Sequence, residues 1–106
     1  MDAATRARCE ERARILKALA HPTRLFIVEE LARGERCVGD LREMIDADLS
    51  TVSKHLAVLK ATGVVADEKR GAQVYYTLRA ACVPSFLGCI ESILKENAER
   101  QLGCVG

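Results

Sequence analysis

The sequence has no apolar run near the length of a bilayer span, and no charged-then-apolar leader with a cleavage site opens it. These absences predict a soluble, cytoplasmic protein with no membrane partner. Motifs of catalysis are missing as well: there is no glycine-rich phosphate loop, no His-Glu-x-x-His arrangement and no nucleophile–base–acid set. An enzyme is therefore not expected. Net charge is also scarce, with 16 Lys/Arg against 15 Asp/Glu. The balance is local, however. Ser50–Arg79 carries five Lys/Arg against two acids, whereas Cys37–Leu49 carries one Arg against four. A polyanion would meet one basic stretch rather than a basic protein.

What is present is enough to fold. Apolar residues make up 49% of 106 residues, well above a disordered composition, and the length suits a single domain. Five cysteines are many for such a chain. In a reducing compartment they point to metal binding or redox chemistry rather than disulfides.

The stretch Ser50–Lys60, S-T-V-S-K-H-L-A-V-L-K, organises the rest. Val52, Leu56 and Leu59 recur at i, i+4 and i+7, the spacing of one buried helical face. Thr51, Ser53, Lys54 and His55 fall largely on the remaining surface. Ser50 is placed as N-cap, and Gly63 lies just beyond the far end. A second amphipathic piece, Val38–Ile45, precedes it across Asp46-Ala47-Asp48-Leu49. Together they fit a helix-turn-helix whose second helix enters a DNA major groove. Val64–Lys69, then Arg70-Gly71-Ala72, then Gln73–Leu78 reads as strand, glycine turn and strand. The expected fold is mainly α with a small β-hairpin wing, a winged helix-turn-helix. Thr51, Ser53, Lys54 and His55 are expected to face DNA, with Arg70 and Gln73 of the wing on backbone or minor groove.

The segments A-H-P-T-R-L (20–25), C-V-G-D-L (37–41), L-S-T-V-S-K-H-L-A-V-L-K (49–60), G-V-V (63–65) and the Arg70-to-Tyr76 wing resemble the ArsR/SmtB repressors. The resemblance covers roughly residues 12–80. It implies a homodimer that binds double-stranded operator DNA and leaves it when a metal or metalloid binds. It also implies one domain over 1–106, with dimerisation helices at 1–19 and about 83–102.

The flanking elements follow from local signals. Residues 3–19 form a charged first helix in which Ile15, Leu16 and Leu19 are the apolar contribution near the end. Pro22 starts the next helix and Gly34 closes it, with Leu25, Val28 and Leu31 beside Phe26 and Ile27 on a broad apolar face. Glu35–Val38 is extended and pairs with the returning wing strand, ahead of a helix beginning near Gly39 or Asp40. That pairing is expected to bring Cys37 near the strand's exit, where Cys82 lies. Pro84 puts the start of the last helix around Val83–Pro84, so that Cys82 precedes it and folds back toward Cys89. Were Cys82 helical, its Cα would stand about 10.5 Å from that of Cys89. The tail 103–106 is expected to fray.

The family's site of two histidines and two acids on the last helices has no counterpart, because no histidine follows His55. Its C-V-C-D-L pattern appears as C-V-G-D-L, with Gly39 in place of a second thiol. Cys37, Cys82 and Cys89 remain as the expected ligands, with Cys9 an alternative third thiol and Cys104 a tail thiol. Three thiolates suit a soft three-coordinate guest. Trivalent arsenic or antimony is the expected inducer, cadmium or lead less suited, and zinc favours a fourth ligand. No permanent cofactor is expected. A thiol redox or persulfide switch on the same fold is the alternative, and a protein-interaction module the remote one.

Overall fold

A computed structural model describes the backbone of residues 1–105 and the side chains of residues 1–103. Helix α1 (Ala3–Leu19) starts where the Asp2 carboxylate accepts the Thr5 N–H at 2.7 Å. Helix α2 (Pro22–Arg33) takes Pro22 in its first turn and has His21 as N-cap, whose Nδ1 accepts from Thr23 N–H at 3.1 Å. Gly34 stops it at φ 153°, a backbone conformation that favours glycine. Strand β1 (Arg36–Cys37) leads straight into α3 (Val38–Ile45). The expected strand over 35–38 is thus two residues long, because Val38 already packs inward from the helix.

Helix α3 ends on Asp46 in the left-handed conformation at φ 57° and ψ 51°. Its N–H returns to the Arg42 carbonyl at 3.0 Å, which turns the chain tightly into the next helix. Helix α4 (Leu49–Ala61) begins one residue before Ser50, and its N-cap is Asp48. The Asp48 carboxylate takes Thr51 N–H at 2.7 Å and the Ser50 hydroxyl at 3.1 Å. Ser50 therefore lies inside the helix and is not its cap. A full negative charge is the better partner for the positive end of the helix dipole.

Strands β2 (Val65–Arg70) and β3 (Gln73–Leu78) form the wing, and the sheet order is β1-β3-β2, all antiparallel. Arg70 pairs with Gln73, so only Gly71 and Ala72 make the turn, with Gly71 at φ 62°. Lys60 at the end of α4 meets Asp67 of β2 at 3.0 Å. The core is one cluster: Ile27, Val28 and Leu31 of α2, Leu41 of α3, and Val52, Leu56 and Leu59 of α4, closed by Val64 and Val65. The face anticipated for α4 is fully buried, at 0% exposure for all three residues.

Helix α5 (Val83–Val105) runs on past Leu102 into the tail expected to fray. A single glycine, Gly103, costs a helix about 1 kcal/mol and does not end one by itself. The side chain of Cys104 lies outside the described residues. Phe86, Ile90, Ile93, Leu94 and Leu102 of α5 are exposed, as are Ile15 and Leu16 of α1. The radius of gyration is 16.9 Å, against about 13 Å for a compact domain of this length. The excess comes from long helices with an apolar stripe that the single chain leaves uncovered.

Candidate nucleic-acid interface and its thiols

Burial of Val52, Leu56 and Leu59 fixes the rotation of α4 and turns Thr51, Ser53 and Lys54 to solvent. Beside them lies a cleft of about 490 Å³ between α3, α4 and the wing, with Gly39, Arg42, Ser53, Gln73 and Tyr76 on its walls. Gln73 is exposed at the start of β3, as expected of a wing contact. Arg42 was not singled out from the sequence, where it stands among four acids. Its position next to buried Leu41 was the available signal, since a neighbour of a core residue on α3 faces away from the core.

Two of the expected contacts also make bonds within the protein. His55 is half-buried and turned to α2, its Nδ1 accepting the Arg24 Nε–H at 3.1 Å. Burial first, then the charges of His21 and Arg24, hold its pKa below the ordinary histidine value. Arg70 is engaged within the protein. It donates to both Glu35 oxygens at 2.7 and 3.0 Å and to Glu68 at 2.9 Å, and it lies 4.8 Å over the Tyr75 ring. These carboxylates raise its pKa further above the ordinary arginine value. The cluster Arg70, Glu35 and Glu68 carries a net charge of −1, summing one cation and two anions. Among the described residues, Arg42 on the cleft wall and Lys54 on the outward face of α4 make no ion pair.

The thiols do not converge as the strand argument anticipated. Antiparallel pairing sets Cys37 opposite Tyr75 and Arg36 opposite Tyr76. Advancing along β1 therefore moves toward the wing tip, away from the Leu78 end and from Cys82. Cys37 is half-buried, and its Sγ lies 3.8 Å from where a Cβ on Gly39 would stand. Cys82 does precede α5, but its carbonyl accepts the Phe86 N–H at 3.3 Å, which keeps it in helical step. From a carbonyl engaged at the helix start, seven positions of helix rise to Cys89 amount to about 10.5 Å. Cys9, Cys82 and Cys89 are exposed. Among the described residues, no three His, Cys, Asp or Glu side chains are grouped to hold a metal ion. Within one chain of this shape, Cys37, Cys82 and Cys89 do not fit a shared metalloid.

An exposed polar helix face, a preceding helix that braces it and a neighbouring β-hairpin define a winged helix-turn-helix DNA-binding protein. The family model for bacterial regulatory proteins of the arsR family matches residues 21–67. The biofilm growth-associated repressor of Xylella fastidiosa is 35% identical over 86 residues, covering 81% of this chain and 75% of that protein. Among solved structures, NolR from Sinorhizobium fredii matches with a TM-score of 0.81 at 29% identity, covering 88% of this chain and 93% of that one. A homodimeric winged helix-turn-helix DNA-binding domain from Mycobacterium bovis matches with a TM-score of 0.79 at 30% identity, covering 94% and 93%. The chain belongs to the ArsR/SmtB family of DNA-binding transcriptional repressors; it is a regulator and not an enzyme. Among the described residues, no helix is long and apolar enough to cross a membrane.

Proposed function

We propose that this repressor binds operator DNA as a homodimer and releases it when trivalent arsenic or antimony is captured by cysteine thiolates, those of Cys37, Cys82 and Cys89. The dimer is supported by the exposed apolar stripe of α5 and the end of α1, since a second copy covers such faces at low cost. DNA docking is supported by Thr51, Ser53 and Lys54 on the outward face of α4, two copies of which meet successive major grooves about 34–36 Å apart.

The observation that carries the signal part is the accessibility of Cys82 and Cys89 at the start of α5, the helix with the uncovered stripe. Because one chain of this shape keeps the three thiols apart, capturing a three-coordinate guest requires another shape. A ligand that binds only that second shape draws the population toward it. Coupling of about 1–3 kcal/mol or more then empties the operator. Cadmium and lead, which share the preference for thiolates, are weaker candidates. The alternative signal is oxidation or persulfidation of Cys37 with one of Cys82 or Cys89, the latter two exposed to a reagent.

The test is fluorescence anisotropy of a duplex selected from random sequence by the protein, under reducing conditions, titrated with arsenite, antimonite, cadmium, lead and zinc. Release by arsenite and antimonite that is lost in Cys37→Ser, Cys82→Ser and Cys89→Ser supports the metalloid reading. Release only by oxidant or persulfide replaces it with the redox reading. Leu94→Glu, which charges the stripe, is expected to give a monomer in sedimentation and to abolish tight DNA binding.

A further inference from the structure

His55 stands where α4 meets α2, and its surroundings constrain it more than a surface contact needs. The Arg24 Nε–H donates to His55 Nδ1 at 3.1 Å, and Arg24 Nη1 donates to the Ala18 carbonyl of α1 at 3.4 Å. The His21 ring lies against the His55 ring, 4.5 Å between centroids at 46°. His21 Nδ1 is itself occupied, accepting Thr23 N–H at 3.1 Å. A ring nitrogen that accepts a hydrogen bond carries no proton. Guanidinium only donates, so Nδ1 of His55 stays bare while the bond stands, and the ring proton of the neutral form sits on Nε2. That Nε2 makes no hydrogen bond within the protein and is not among the fully buried unpartnered atoms, so it keeps contact with solvent. It belongs to the helix that carries Thr51, Ser53 and Lys54 outward.

We infer that Arg24 is a positioning residue for DNA recognition: its bond to Nδ1 fixes His55 as the neutral Nε2–H tautomer, so that α4 presents a hydrogen-bond donor of fixed direction. A donor reads acceptors, which on duplex DNA are guanine O6 and N7, adenine N7, thymine O4 and the phosphate oxygens. Without Arg24 the ring is released to the other tautomer, whose Nε2 accepts and meets those same atoms with repulsion. The bond to Ala18 adds a second constraint, since the side chain that sets the tautomer is anchored on α1. The inference rests on α4 being the DNA-reading helix, but its tautomer half stands without DNA.

The first measurement is therefore long-range ¹⁵N–¹H correlation of the histidine rings of the free wild-type protein at pH 7.5, assigned with His55→Gln. The expected pattern is a bare Nδ1 and a protonated Nε2 on His55; an Nδ1–H tautomer overturns the inference at once. Arg24→Met keeps the aliphatic stem and removes the donors. It should give a mixture of tautomers and weaken binding to the selected duplex about fivefold to tenfold, the worth of one hydrogen bond. In His55→Gln, whose amide supplies a donor without a tautomer, the further substitution Arg24→Met should cost at most twofold. A residue that merely braced the fold would weaken both backgrounds equally. Equal losses, or an unchanged tautomer in Arg24→Met, refute the positioning role. If Arg24→Met does not fold, the wild-type tautomer still decides.

Discussion

The engagement of Arg70 makes a prediction about salt that runs against the sequence pattern. Each phosphate neutralised by a protein cation steepens the dependence of log K on log salt by about 0.9. Between 50 and 200 mM salt, a fourfold change, one such contact is worth about 3.5-fold in affinity. Arg42 on the cleft wall and Lys54 on the outward face of α4 make no ion pair among the described residues, so Lys54→Ala and Arg42→Ala should each flatten the slope by about 0.9. Arg70 is held by both oxygens of Glu35 and by Glu68, a cluster of net charge −1, so Arg70→Ala should change the slope by much less than one contact. Glu35→Gln removes the bidentate partner and should steepen the slope toward one additional contact. The assay is anisotropy of one selected duplex at five salt concentrations, with a scrambled duplex as the non-specific reference. Equal flattening by Arg70→Ala and Lys54→Ala refutes the reasoning, because it means the wing arginine leaves its carboxylates on DNA.

Other expectations follow from burial, titration and the glycine beside Cys37. Leu56→Ala opens a cavity under α4, where the side chain is 0% exposed, and should lower stability by about 2–5 kcal/mol in urea unfolding at unchanged m-value. His55 has its pKa below the ordinary 6.5, so as pH falls below that value the unfolded chain takes up the proton before the folded one. Stability should therefore drop between pH 7 and pH 5.5, and His55→Gln should remove its part of the drop in urea midpoints measured across that range. Gly39→Cys places a Cβ 3.8 Å from the Cys37 sulfur, with nothing else within 4 Å beyond its chain neighbours and its own helix backbone. The fold should be kept, and cadmium affinity, read from thiolate-to-cadmium ultraviolet absorption, should rise at least tenfold. No gain would show that the two thiols point apart.

What the sequence by itself determined is everything with a local cause. The buried face of α4 follows from Val52, Leu56 and Leu59 at helical spacing, the start of α2 from Pro22, and the wing from alternation on either side of Gly71. Other features were decided by contacts between residues far apart in the chain, which no local pattern encodes. Arg70 looks like a free wing cation until Glu35, 35 positions away, is folded against it. His55 looks like a freely rotating surface ring until Arg24, 31 positions away, takes its Nδ1. Asp48 and Ser50 are both good caps two residues apart, and the folded helix begins on the carboxylate. The position of Cys37 turned on strand direction as much as on strand pairing. The sequence implied that β1 meets β3, but only the antiparallel register set Cys37 against Tyr75 and away from Cys82. Periodicity arises from the bonded neighbourhood of a residue, so the sequence displays it. Register and ion-pair partners arise from global packing, where several pairings satisfy the same local pattern and only the assembled core selects one.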